Sequence, residues 1–263
     1  MPTQLAVVVH LSLNENFMKR TVYVNGSFVK EDQAYISIFD RGFLFSDSIY
    51  EVTGVINSEL IDSHKHLKRL RDSLQFLRIQ LEITDEEIES IQETLIEKND
   101  LDHGVIYLQI SRGSEDRDFL YSDHLEPSVV MFTQRKNFFQ DPQAREGISV
   151  ITQEDNRWTF RDIKTTSLLC SVMAKNEARR NGADDSWYTK DGFVTEGASS
   201  NAFIVGLDNV IQTHPLSKDI LHGTTRSTVF EIAKLLEKEV ATVKDIDQAM
   251  KLGTGIEKGP AKM

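Results

Sequence analysis

Arg161-Asp162-Ile163-Lys164-Thr165-Thr166-Ser167-Leu168-Leu169 sets one lysine at the junction of two kinds of backbone. Upstream, Ile148 to Gln153 and Trp158 to Ile163 read as strands. Downstream, Thr166 to Arg180 has helical spacing and closes on Asn181-Gly182, a helix stop. A lysine in such a place is most simply a solvated side chain, but two later segments change that reading. Val194-Thr195-Glu196-Gly197-Ala198-Ser199-Ser200-Asn201 follows a hairpin turning at Lys190-Asp191-Gly192 and sets a carboxylate among small residues that let backbone approach a ligand. Leu221-His222-Gly223-Thr224-Thr225-Arg226 then leads into a helix running from Thr225 to Glu237, with Val229, Ile232 and Leu236 on one face. Free N–H groups and two hydroxyls gather at the positive end of its dipole, a cradle for phosphate. Thr225 reads equally well as the N-cap, and the two uses are compatible.

The rest of the chain predicts an α+β protein of two domains. Thr21 to Ser37 alternates around Asn25-Gly26, the chemistry of a two-residue hairpin turn. Leu67, Leu70, Leu74 and Leu77 form one stripe of a helix from Ser63 that Asp62 or Ser63 can cap. Thr84-x-x-Glu87 is a capping box ahead of Ile88, Ile91 and Leu95. Val105 to Ile110 and Ser128 to Phe132 read as buried strands, and Ala202 to Val205 and Val210 to Thr213 as short ones. The polar, proline-containing stretch 134–147 breaks the periodicity and serves as linker. It divides a small α/β domain, residues 18–133, from a larger β-rich domain, residues 148–263, and residues 1–17 form an extension.

A net charge of −11 argues against nucleic acid or an anionic membrane as partner, since both need a basic surface. No run reaches the roughly 18 to 20 apolar residues that span a bilayer, and Leu5 to Leu13 lacks the flanks of a signal peptide. The single cysteine, Cys170, reads as a small core residue, excludes a disulfide framework and fits a reducing, cytoplasmic compartment. His64 and His66, two apart on a helix, point to different sides and make no metal pair; no metal is expected.

A lysine to form a Schiff base, a carboxylate to keep a pyridine nitrogen protonated and a helix terminus for a phosphate are together what pyridoxal 5′-phosphate (PLP) chemistry requires. The order Lys-Thr-Thr-Ser-Leu-Leu, Thr-Glu-Gly-x-Ser-Ser-Asn and Leu-x-Gly-x-Thr-Arg resembles the signature of the class IV aminotransferases, the fold type IV PLP enzymes. Asp40-Arg41-Gly42-Phe43-Leu44-Phe45-Ser46-Asp47-Ser48-Ile49-Tyr50-Glu51-Val52 is similar to the family's opening motif, and His66-Leu67-Lys68-Arg69-Leu70 to its next. The resemblance implies that Lys164 carries the cofactor and moves the α-proton, and that Glu196 pairs with the pyridine nitrogen. It further implies that Arg69, Thr224 and Thr225 hold the phosphate, that Leu221 packs on the ring face, and that Ser199 joins the polar contacts. Tyr50 and Arg117 match positions that hold the substrate carboxylate in the D-amino-acid transaminases, the branch this chain most resembles. Homodimerisation and the transfer of an amino group from a D-amino acid such as D-alanine to a 2-oxo acid such as 2-oxoglutarate come from the same resemblance.

Three departures qualify it. Ser46 and Ser48 replace glycines, which is harmless where φ stays negative. Phe119 stands where a histidine is common, which bears on substrate preference. The last domain looks shortened, so that Thr254 in the tail is the candidate for a phosphate-contacting hydroxyl or a plain loop threonine. Alternatives on the same scaffold are a branched-chain L-amino-acid transaminase, an aminodeoxychorismate lyase, and a truncated, non-catalytic PLP-binding relative.

Overall fold

The computed structural model describes residues 20–139, 143–207 and 210–237; the extension 1–17 and Thr254 lie outside them. Strands β1 (Thr21–Val24) and β2 (Ser27–Lys30) form the expected hairpin. Its turn residues Asn25 and Gly26 have φ of 45° and 87°, the left-handed pair that a two-residue turn needs. The alternation stops at Lys30, where a 3-10 turn, Glu31–Gln33, takes over.

A short helix α1 (Arg41–Phe45) leads into β3 (Ser48–Ile56), followed by β4 (Glu59–Leu60), α2 (Ser63–Leu77), α3 (Asp85–Lys98), β5 (Gly104–Ser111) and β6 (Ser128–Arg135). The strands make one antiparallel sheet in the order β2-β1-β6-β5-β3-β4. Leu108 and Ile110 of β5 meet Leu67, Leu70 and Leu74 of α2 and Ile88 and Leu95 of α3 in the core, while Ile106 of the same strand packs with Val55, Ile96 and Leu101 in a second cluster. That is the period-two, period-3.6 match by which a sheet and two helices share one apolar layer. The capping box forms, with Glu87 N–H donating to Thr84 Oγ1 at 3.2 Å and Thr84 N–H to Glu87 Oε2 at 2.7 Å. Asp62 stands at the N-cap of α2 but makes no capping bond; its carboxylate accepts from Thr228 Oγ1 at 2.8 Å instead.

The second half holds α4 (Gln143–Glu146), β7 (Val150–Glu154), α5 (Leu169–Arg180), β8 (Asp185–Lys190), β9 (Phe193–Gly197), β10 (Ile204–Val205), β11 (Ile211–Gln212) and α6 (Thr224–Glu237). β7 runs parallel to β8, and β8 pairs antiparallel with β9 through the turn at Asp191-Gly192. Ala174 of α5 packs on Tyr188 and Ala198.

Five local expectations need correction. Residues 158–163 form no strand: Ile163 N–H closes a turn on Phe160 O at 3.2 Å, and Arg157 and Arg161 fold inward onto Asp155. α5 starts at Leu169, not Thr166, because Thr166 is drawn out against β3, its N–H bonded to Ser48 O at 3.1 Å and its hydroxyl to Ser48 Oγ at 2.5 Å. α6 starts at Thr224, so Thr225 lies inside the first turn rather than at the N-cap. Cys170 is partly exposed, near the start of α5, and not a core residue. Ser46 also departs from the expected backbone, since it ends α1 with φ of 55°, a left-handed conformation for which glycine is the natural occupant.

Candidate active site

The lysine segment of the second half meets the first at the N-terminal end of β3. Tyr50 N–H donates to Lys164 O at 3.0 Å, Thr166 N–H to Ser48 O, and Ile49 bridges Thr165, so the lysine segment adds itself to β3 as a short extra strand. This pairing sets Lys164 beside Tyr50, whose ring centre lies 4.2 Å from Nζ. Around them opens a cleft of about 400 Å³, within the usual size for a small-molecule site. Tyr50, Arg69, Lys164, Glu196, Ser199, Leu221, Thr224 and Thr225 all line it. Arg117 does not: it lies on an exposed loop, stacked near the rings of Phe45 and Phe119.

The electrostatics separate the cleft into two ends. Burial lowers the Lys164 ammonium from 10.5 to about 8, helped by the positive charge of Arg69, so a useful share of the amine is free near neutral pH. Arg69 is itself gripped by Glu51, which takes its Nε at 2.7 Å and its Nη2 at 2.7 Å, while its Nη1 reaches His222 O at 3.0 Å beside the start of α6. Burial works against the charge on Glu51, but the hydrogen bonds from Arg69 and from His66 outweigh it and hold the carboxyl below the usual range. Arg69 and the first turn of α6, whose N–H groups have no carbonyl within the helix, thus form the cationic end.

At the other end Glu196 is buried, which pushes its carboxyl up, while Arg157 at 2.8 Å pulls it back. Its Oε2 accepts from Asn201 Nδ2 and Leu221 N–H, both at 3.0 Å. Gly223 makes this closeness possible, since a Cβ there would come 2.1 Å from Asn201 Oδ1. Burial also raises the Tyr50 phenol, with the charge of Glu51 adding to it, so Tyr50 stays a neutral hydrogen-bonding group. The cleft thus offers a dianionic phosphate a dipole and a guanidinium, a pyridinium a carboxylate, and a carbonyl an amine of lowered basicity, with Leu221 supplying apolar surface. These residues fit PLP.

Glu51, Asp155, Arg157 and Asn201 were not singled out by sequence reasoning. A charged residue inside the apolar alternation of β3 was the available signal for Glu51; for the arginine, nothing local distinguishes it from a surface side chain.

The sequence profile of the family described as Amino-transferase class IV matches residues 48–261. D-alanine aminotransferase of Bacillus licheniformis is 36% identical over 229 residues, covering 85% of this chain and 80% of that protein. Among solved structures, a branched-chain amino acid aminotransferase of Escherichia coli aligns with a TM-score of 0.76 at 23% identity, over 83% of this chain and 75% of that one. A putative 4-amino-4-deoxychorismate lyase of Legionella pneumophila aligns with a TM-score of 0.69 at 24% identity, over 82% and 81%. The chain belongs to the class IV aminotransferases, enzymes of fold type IV that work with PLP. The α+β architecture is the one expected from the sequence.

Proposed function

We propose that the enzyme moves an amino group from a D-amino acid, such as D-alanine, to a 2-oxo acid, such as 2-oxoglutarate. The observation that carries the chemistry is the convergence of Lys164, Glu196 and the first turn of α6 on one cleft. The choice of substrate rests on the likeness to D-alanine aminotransferases. When bound, PLP supplies an electron-poor ring that takes up the electrons left by the departing α-proton. Lys164 would hold the cofactor, and its amine, of lowered basicity, would move the proton at the substrate α-carbon. Glu196, with Arg157 offsetting part of the burial that raises its carboxyl, would pair with the ring nitrogen, and Arg69, Thr224 and Thr225 would hold the phosphate. Leu221 packs on the ring, Ser199 adds a polar contact, and Tyr50 faces the substrate.

Arg117, exposed and outside its own cleft, can hold a substrate carboxylate only in a neighbouring subunit. We therefore assign the protein as a homodimer in which this loop, with exposed Phe119 and Leu120, crosses to the partner. The single cysteine, which leaves no disulfide framework, supports a reducing, cytoplasmic compartment.

The test is an absorbance spectrum with PLP, recorded before and after D-alanine and then L-leucine. A visible band that Lys164→Ala abolishes and that D-alanine alone discharges supports the reading. Discharge by L-leucine moves the assignment to branched-chain substrates, and pyruvate release from aminodeoxychorismate moves it to a lyase. No band at saturating PLP sinks it.

A further inference from the structure

Six ionic side chains of alternating sign run from the surface to the cleft. Lys190 Nζ lies 2.7 Å from Asp219 Oδ1, which also pairs with Arg161 Nη1 at 2.9 Å. Arg161 Nε is 3.0 Å from Asp155 Oδ2, the same oxygen that takes Arg157 Nη2 at 2.8 Å. Arg157 Nη1 completes the line at Glu196 Oε1, 2.8 Å away. The Asp155 side chain is fully buried and that of Glu196 is 4% exposed, so neither charge is screened by water.

The geometry around Arg157 is fully specified. Asp155 takes Nε and Nη2 side-on at 2.9 and 2.8 Å, and the guanidinium carbon stacks 4.2 Å from the centre of the Tyr188 ring. Only Nη1 remains, and it points to Glu196. A carboxylate has about four acceptor sites, two on each oxygen. Oε2 of Glu196 is filled by Asn201 and Leu221, and Oε1 has one donor, Arg157, so the last acceptor site belongs to the oxygen that Arg157 holds.

We propose that Arg157, locked by Asp155 and Tyr188, is a positioning residue that keeps Glu196 ionised with its one open acceptor site on Oε1 turned to the cleft, and thereby sets its hold on the pyridine nitrogen. This rests on the assignment of Glu196 to that nitrogen. The charged and titratable groups facing Glu196 are Arg157 and Asp155 from the segment after β7, Lys164 further along the same segment, and Tyr50 from β3. Arg157 is the only one of them hydrogen-bonded to it, and without that cation burial drives the carboxyl toward its neutral form.

The experiment measures PLP affinity of the full chain by equilibrium titration against pH for wild type, Arg157→Lys, Arg157→Met, Glu196→Gln and the Arg157→Met, Glu196→Gln double variant. Arg157→Met is expected to bind about ten-fold more weakly near about pH 6.5, one unit of differential interaction, with the gap closing as the pH rises. Arg157→Lys recovers most of the loss, and in the Glu196→Gln background Arg157→Met costs nothing further. Infrared spectra of Arg157→Met show a protonated-carboxyl band that Glu196→Gln removes. A loss equal in both backgrounds and independent of pH makes Arg157 merely structural and overturns the proposal. If Glu196→Gln binds PLP and turns over like wild type, the assignment of Glu196 itself fails, and the proposal with it.

Discussion

Replacing Lys164 by methionine should make the cofactor-free protein more stable while abolishing turnover. The folded ammonium titrates at about 8 against 10.5 for a free lysine, so below about pH 8 both folded and unfolded chains carry the proton and the full cost of burying it is present. At 1.36 kcal/mol for each pH unit, that cost is about 3 kcal/mol. The Tyr50 ring, 4.2 Å from Nζ, favours the charged form and offsets roughly 0.5–1 kcal/mol of it. The net is about 2 kcal/mol, and since 1 kcal/mol moves the midpoint of a domain of this size by roughly 2–4 °C, Lys164→Met should raise Tm by about 4 °C or more near pH 7. Between about pH 8 and 10.5 the unfolded chain binds more protons, wild-type stability rises, and the advantage of the variant vanishes. Calorimetry and urea unfolding of both proteins without PLP, across that range, read it directly. A variant equally or less stable at neutral pH, or an advantage that does not shrink with pH, would refute the assignment of a desolvated lysine.

Glu51→Gln leaves Arg69 without its buried partner, and breaking such a pair costs about 3–5 kcal/mol. Glu51 titrates below the free value, so this stability is fully present above about pH 4.5 and is lost as pH falls through the lower folded value; urea unfolding should show the gap between the two proteins shrinking in acid. Gly223→Ala drives a methyl into Asn201 Oδ1 and dislodges the amide from Glu196 and from Leu221 O. It should weaken PLP binding by about ten-fold, the worth of one or two such hydrogen bonds, and a titration with affinity unchanged would show that Asn201 is not needed.

Features with a local cause were legible in the sequence. Asn25-Gly26 folds back because two successive left-handed residues leave little choice, and Thr84 and Glu87 cap α3 because each reaches the other's N–H within one turn. The leucines of α2 point one way because the helical repeat puts them there. Residue type and order alone suggested that Lys164, Glu196 and the run from Leu221 to Thr225 belong together, and the fold brings them to one cleft.

Long-range partners were not legible. Trp158 to Ile163 reads as a strand, yet the buried Asp155 draws Arg157 and Arg161 inward and that backbone turns instead. Thr166 reads as helix until β3 claims its N–H. Arg117 matches a substrate-binding position in sequence but lies outside the cleft of its own chain. Periodicity, turns and caps follow from neighbours a few residues away, so the one-dimensional order contains them. Which charge faces which across 18 residues, as with Glu51 and Arg69, or 39, as with Arg157 and Glu196, is settled only when packing strips away the water that would otherwise satisfy each separately.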